Sequence, residues 1–278
     1  MPELPEVEVI RRDLERSASG KKIKKVEVLG MRSIRRHPNK KHFIGLLQGR
    51  KIKSVDRRGK YLLFRLDDGS TLVVHLGMSG QLLRAKQSRE KVLKHTHVII
   101  TFTQGGQIRF RDPRTFGELF VVEDGDLDQI PDVAELGIDP LETPLSWDDF
   151  GRMLVARKAK LKPLLMDQKF LAGLGNIYSD EVLFAAGLGH DRKSDSLSTQ
   201  EVRRLYRALV ETIQEAVKYR GSTLEDNGYV DPDGKPGEFQ LHHKVYGHEG
   251  DPCRRCRRPI MRRKVGNRSS FFCEACQV

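Results

Sequence analysis

An α+β chain of two domains is what the sequence predicts: a β-sandwich flanked by helices, then a helical domain that ends in a small cysteine-bearing unit. Three observations carry this. Short strand patterns crowd the N-terminal half, helical patterns dominate from about Ser146 to Arg220, and all four cysteines lie near the C-terminus.

Pro5 to Ser17 opens the chain as a helix, because proline suits a first turn and Val7, Ile10 and Leu14 share one face. Candidate strands follow at Ile23–Val28, Tyr61–Leu66, Thr71–His75, His97–Phe102, Gln107–Arg111 and Glu118–Val122. Turn pairs such as Asp68-Gly69 and Gly105-Gly106 separate several of them. Many short strands in succession point to an antiparallel sandwich or barrel. The acidic, proline-bearing stretch Glu123–Pro144 reads as a linker. The best-defined later helix starts at Ser198-Thr199-Gln200-Glu201, a capping box, with Val202, Leu205, Leu209, Ile213 and Ala216 on one face. Gly221 to Phe239 is polar and glycine-rich, and reads as a mobile loop. The expected division is residues 1–124, a linker at 125–145, a helical domain at 146–241 and a cysteine unit at 242–278.

Charge narrows the function. The chain has 278 residues and a formal charge of +12. From Met31 to Lys60 there are eleven Lys or Arg against the single acid Asp56, and from Lys244 to Val278 nine against three. Such clusters suit a polyanion, either nucleic acid or an anionic membrane surface, although a well-solvated basic face would have the same composition. No apolar run approaches the roughly 18 residues of a membrane span. The first residues carry acids and no apolar signal core, so a cytoplasmic location is expected.

Cys253-x2-Cys256 and Cys273-x2-Cys276 form two metal-biting pairs. Two disulfides are the alternative, which a reducing cytoplasm disfavours. Four thiolates predict one tetrahedral, coordinatively closed and therefore structural zinc. Between the pairs lie Arg254, Arg255, Arg257, Arg258, Arg262, Arg263, Lys264 and Arg268, a basic hairpin fit to read a nucleic-acid backbone or, more plainly, to keep the unit soluble.

Met1-Pro2-Glu3-Leu4-Pro5-Glu6-Val7-Glu8 resembles the N-terminus of the formamidopyrimidine-DNA glycosylases, the oxidised-purine branch of the family that also contains endonuclease VIII. The resemblance continues in order through Arg58-Gly59-Lys60-Tyr61, His75-Leu76-Gly77-Met78-Ser79-Gly80, Asp112-Pro113-Arg114-Thr115-Phe116-Gly117 and Leu165-Met166-Asp167. It runs on through Gly173-Leu174-Gly175-Asn176-Ile177-Tyr178 and Asp233-Gly234-Lys235-Pro236-Gly237 to the cysteine unit. It implies that the helical domain is a helix–two-turn–helix module with a loop closing over the lesion, and that the cysteine unit is a zinc-finger hairpin.

The resemblance also implies roles. Once Met1 is removed, Pro2 is the nucleophile; an α-amino group with a pKa of about 7.7–8.0 is partly neutral at pH 7, where lysine is not. Glu3 protonates the opening sugar, Lys60 serves the lesion's phosphate and β-elimination, and Arg268 assists δ-elimination. Met78, Arg114 and Phe116 fill the gap left when the damaged nucleotide is extruded, and Arg114 faces the widowed cytosine. Asn176 clamps a phosphate, and His95 and Arg157 contact the DNA. Damaged duplex DNA is the implied partner of a monomer that uses zinc and no organic cofactor. The implied reaction is removal of 8-oxoguanine or formamidopyrimidines followed by β,δ-elimination.

Each role has a blander counterpart: an N-terminal helix acid that suits the macrodipole for Glu3, core packing for Met78 and Phe116, and an N-cap for Asn176. Two rival functions differ in class. One is an oxidised-pyrimidine enzyme of endonuclease VIII type, against which Leu4 and the extended loop argue. The other is a non-catalytic damage-binding protein, against which intact Pro2, Glu3, Lys60 and Arg268 argue. Three positions depart from the family pattern: Thr115 and Glu225 stand where relatives often carry a basic residue, and Arg257 stands where they carry glycine.

Overall fold

The molecule, seen in a computed structural model, is described over residues 1–123, 127 and 130–278. The expected domain end at 124 and linker start at 125 lie outside the described residues. The chain divides into two compact units, 1–134 with 219–238, and 135–218 with 239–278.

The first unit opens with helix α1, Leu4–Ala18. Strands β1 (Ile23–Val28), β6 (Thr96–Phe102), β7 (Gln107–Arg111) and β5 (Gln81–Ala85) form one antiparallel sheet, in the order β1-β6-β7-β5. Strands β2 (Ile52–Arg58), β3 (Tyr61–Leu66), β4 (Thr71–His75) and β8 (Glu118–Val122) form the other, in that order. One apolar cluster draws on both: Val55, Leu62, Phe64 and Val74 from the second sheet, and Val98, Ile100, Ile108 and Phe110 from the first. Val7, Ile10 and Leu14 of α1 join the same cluster. Along β3 the side chains alternate as a strand requires: Leu62, Phe64 and Leu66 enter this core, while Leu63 turns to Val73, Phe120 and Val133 on the other face. Helix α2 (Lys40–Leu47) is capped by Asn39, whose side chain accepts the His42 N–H, and buries Phe43 and Leu47. Helix α3 (Pro131–Ala134) supplies Val133.

Six expected strands are present, with β6 starting one residue early. Strands β2 and β5 and helix α2 were not expected. Their apolar positions are sparse: Ile52 and Val55 in one strand, Leu82 and Ala85 in the other. Pairing with partners far along the chain makes these segments strands, and no local window records that pairing.

The second unit holds α4 (Trp147–Ala156), α5 (Leu161–Met166), α6 (Asn176–Ala186) and α7 (Thr199–Lys218). The capping box is formed: Ser198 Oγ accepts the Glu201 N–H, and Glu201 Oε2 accepts the Ser198 N–H at 2.8 Å. Below it Val202, Leu205, Leu209, Ile213 and Ala216 are buried, as the spacing predicts. The hairpin β9 (Met261–Val265) and β10 (Arg268–Phe272) ends the chain and packs on α6.

Residues 219–238 carry no helix or strand and belong to the first unit, although the sequence groups them with the helical domain. The reason is hydrogen bonding. Arg220 bridges Asp13 and Asp231, and Ser222 N–H donates to Glu6 Oε1 at 2.7 Å. Tyr229 OH donates to Arg220 O at 2.9 Å.

Candidate active site

Carboxylates that accept backbone N–H groups build the N-terminal part of the site. Pro2 is buried and Glu3 is 3% exposed. Glu3 caps α1, and its N–H donates to Glu6 Oε2 at 2.7 Å. The other Glu6 oxygen takes the Ser222 N–H, so one buried carboxylate ties the Pro2-Glu3 segment to residue 222. Gly221 is required there: its φ is +76°, and a Cβ would lie 2.7 Å from Glu6 Oε1.

Two residues further along α1, Glu8 accepts from Arg11, Arg12 and Arg57. Burial opposes the Glu8 charge, but these three guanidinium groups outweigh it and hold the carboxyl down at about 2. Arg57 is fully buried and also donates to Gly59 O at 3.0 Å, fixing the β2–β3 turn that presents Lys60. Lys60 is 8% exposed. Beside this turn His75 packs tilted against Tyr61, with ring centroids 4.7 Å apart. Burial and the nearby Lys60 charge push His75 down to about 4, so it is neutral at pH 7.

Asp112, fully buried, brings two loops together. It accepts from Ser79 Oγ at 2.6 Å, from Arg114 N–H at 3.2 Å and from Gly117 N–H at 2.7 Å. The loops touch through backbone: a Cβ on Gly77 would lie 2.6 Å from the Gly117 nitrogen. Met78, Arg114 and Phe116 all project from these loops into solvent, and the Arg114 guanidinium lies 5.4 Å from the Phe116 ring centre. Large apolar groups held out at a loop tip are not core packing. His95, half-buried with φ +68°, gives its carbonyl to Asp112 N–H at 2.9 Å.

In the second unit Asn176 is the first residue of α6, after Gly175. Gln168 folds the preceding turns: its amide donates to Met166 O and Leu174 O, and its carbonyl accepts the Gly173 N–H at 2.9 Å. Asn176 Oδ1 is buried with no hydrogen-bond partner among the described residues. A helix N-terminus directs N–H groups outward, which is how helices hold phosphate. Arg157, exposed at the end of α4, lies 5.9 Å from the Phe170 ring centre.

The four cysteine sulfurs lie within 4.8 Å of one another. The Cys253–Cys276 and Cys256–Cys273 separations are 3.9 and 3.4 Å. A tetrahedral ion with Zn–S bonds of about 2.3 Å needs edges of roughly 3.8 Å. The Arg255 N–H donates to Cys253 Sγ at 3.4 Å, as suits a thiolate. This set fits one structural Zn2+. Arg257 sits at φ +67°, which explains why glycine suits that position. Arg268 opens β10 and lines a cavity of about 440 Å³ with Arg262, Arg263, Lys264 and Glu249, a lining with four basic groups to one acid.

The hairpin is anchored through a buried ion pair. Lys162 Nζ lies 2.7 Å from Asp180 Oδ1 and donates to Ser269 O at 3.0 Å, and Asp180 also accepts from Ser270 Oγ and Phe271 N–H. Burial pushes the Asp180 carboxyl up, against the pull of Lys162. Glu181 accepts three successive N–H groups, from Lys244, Val245 and Tyr246.

Comparison with known proteins agrees with this geometry. Residues 1–119 match the Formamidopyrimidine-DNA glycosylase N-terminal domain, 136–227 its H2TH domain, and 250–278 the zinc finger found in FPG and IleRS. The chain belongs to the formamidopyrimidine-DNA glycosylase family. It is 46% identical over 277 residues to the Formamidopyrimidine-DNA glycosylase of Thermus thermophilus, covering 100% of this chain and 98% of the relative. Identity to that of Pelotomaculum thermopropionicum is 43%, over 100% and 99% of the two chains. The crystal structure of the T. thermophilus protein superposes with TM-score 0.88 at 44% identity, over 99% of this chain and 98% of that one. A Lactococcus lactis Fpg in complex with DNA containing an abasic site gives 0.90 at 32% identity, over 99% of each. No helix among the described residues is long and apolar enough to cross a membrane.

The sequence missed several residues that hold the site rather than form it: Glu8 with Arg57, Asp112, and Lys162 with Asp180. Glu8 and Asp112 carried a signal, since Glu8 closes the motif that holds Pro2 and Glu3, and Asp112 opens the one that holds Arg114 and Phe116.

Proposed function

We propose that this chain repairs duplex DNA by base excision, removing oxidised purines and then cutting the strand by β,δ-elimination. The observation that carries this is the fixed N-terminal segment. Pro2 and Glu3 are buried at the head of α1, and the same helix holds the Lys60 turn through Glu8 and Arg57.

With Met1 attached, the Pro2 nitrogen is an amide and cannot attack. After Met1 removal it is a secondary amine that adds to sugar C1′ as the base departs with its bonding electrons. Glu3 protonates the sugar ring oxygen, the ring opens, and the nitrogen lone pair closes an iminium. That iminium acidifies the C2′ proton; its loss expels the 3′ phosphate, and a second elimination expels the 5′ phosphate. Lys60 and Arg268 neutralise the departing phosphates. Met78, Arg114 and Phe116 fill the vacated stack, and Asn176, His95 and Arg157 grip the backbone. The loop at 221–238 closes over the extruded purine. When bound, zinc supplies the fold of the Arg268 hairpin and, with four thiolate ligands, no open position for chemistry.

Borohydride reduction of Met1-processed protein with duplexes carrying 8-oxoguanine, a formamidopyrimidine or an abasic site tests the reading. The expected result is a covalent adduct that peptide mass spectrometry maps to Pro2. An adduct on Lys60, or none, overturns it.

A further inference from the structure

Among the described residues strand β5 has only β7 as a sheet neighbour, and its other edge meets the 221–238 segment. Arg84 N–H donates to Pro232 O at 2.7 Å, and the Arg84 guanidinium grips Asp233. At the start of the same strand, Gln81 lies directly across from Arg111 of β7 and is 6% exposed. Three hydrogen bonds run through this pair. Arg111 Nε donates to Lys94 O at 3.1 Å, Arg111 Nη1 donates to Gln81 Oε1 at 3.0 Å, and Gln81 Nε2 donates to Asn227 O at 3.1 Å.

Both ends of the relay sit at left-handed backbone. Lys94 precedes His95, with φ +68°, and Asn227 has φ +47°. Few non-glycine residues adopt that conformation, histidine and asparagine more readily than most, and each segment here is tied down by a hydrogen bond to its carbonyl. A primary amide accepts from a guanidinium through its oxygen and donates to a carbonyl through its nitrogen at once, so Gln81 transmits position between two backbone segments.

We propose that Gln81 and Arg111 are positioning residues that couple the His95 segment to the 224–229 loop. The proposal rests on the reading above, in which His95 grips the DNA backbone and the loop closes over the purine. DNA held at His95 fixes the Lys94 carbonyl, Arg111 and Gln81 follow, and Asn227 is held for closure. Coupling of binding is reciprocal, so a purine seated under the loop tightens the backbone grip by the same factor.

Two variants separate the arms. Gln81→Glu still accepts from Arg111 but cannot donate to Asn227 O; Arg111→Ala releases both ends. The readout is amide hydrogen exchange of the full, zinc-loaded, Met1-processed protein without DNA. Gln81→Glu should speed exchange across 224–229 about fivefold, the scale of one hydrogen bond, and leave 92–97 unchanged. Arg111→Ala should speed both. Single-turnover excision of a formamidopyrimidine should fall about as far in Gln81→Glu, with abasic-site cleavage unchanged. Unchanged exchange at 224–229, or general loosening of the β3–β4 core, overturns the proposal. If wild-type protein excises no oxidised purine, the functional reading fails, and the exchange data still decide the relay.

Discussion

The two units hold their functional residues by one device on very different foundations. In both, a buried carboxylate collects backbone N–H groups from a loop: Asp112 for the Arg114 loop, Glu181 for residues 244–246. In the first unit these carboxylates rest on a sandwich core shared by two four-stranded sheets and α1. The zinc hairpin has a two-stranded sheet whose first strand is exposed through its first four residues, and a small cluster of Phe184, Val245, Cys253, Ile260 and Cys273. Two strands alone are marginal in water. The lesson is that a core shared by two sheets holds Pro2 and Lys60, whereas the Arg268 hairpin rests on a four-cysteine metal set, a buried ion pair and a small apolar cluster.

The largest effect should follow from Cys256→Ser. Zinc binding should be lost and hydrogen-exchange protection should vanish across 250–278, while the β3–β4 core keeps its protection. Affinity for duplex DNA should fall by about 100-fold at physiological salt, because several phosphate contacts leave together. A metal-free hairpin that keeps its protection would show that the ion pair suffices, and the contrast between the units would collapse.

Asp180→Ala comes next. It leaves Lys162 charged, buried and without its carboxylate, which should cost about 3–5 kcal/mol in urea denaturation of the second unit. Replacing both, with Lys162→Met and Asp180→Leu, should recover most of that stability. A single variant as stable as wild type would show that the ion pair does not anchor the hairpin.

Glu8→Gln probes the other foundation, with a smaller effect. The Glu8 carboxyl is held at about 2, below its ordinary 4.5, so its charge stabilises the folded state fully above about pH 4.5. That contribution fades as pH falls toward 2. Allowing for the partly exposed Arg11 and Arg12, the variant should be about 2 kcal/mol less stable at pH 7, and the gap should close between pH 4.5 and 2. A gap that persists at pH 2 would assign Glu8 a packing role instead.

Much of this was legible in the sequence. Periodicity located six strands, α1 and α7, because burial on one face leaves a repeat of two or of three to four residues in the chain itself. Cysteine spacing specified the metal, since ligand geometry is local. Ordered motifs pointed to Pro2, Glu3, Lys60, Asn176 and the Met78–Arg114–Phe116 group. Tertiary structure alone decided what fixes these residues in place. The Asp112 carboxylate reaches back 33 residues to Ser79, Glu6 reaches forward 216 to Ser222, and Lys162 reaches 107 to Ser269 O. A carboxylate that caps a distant loop leaves no periodic trace, because its partners are backbone groups that every residue carries. For the same reason the sequence placed 219–238 with the helices, and hydrogen bonds to α1 and β5 placed it with the sandwich.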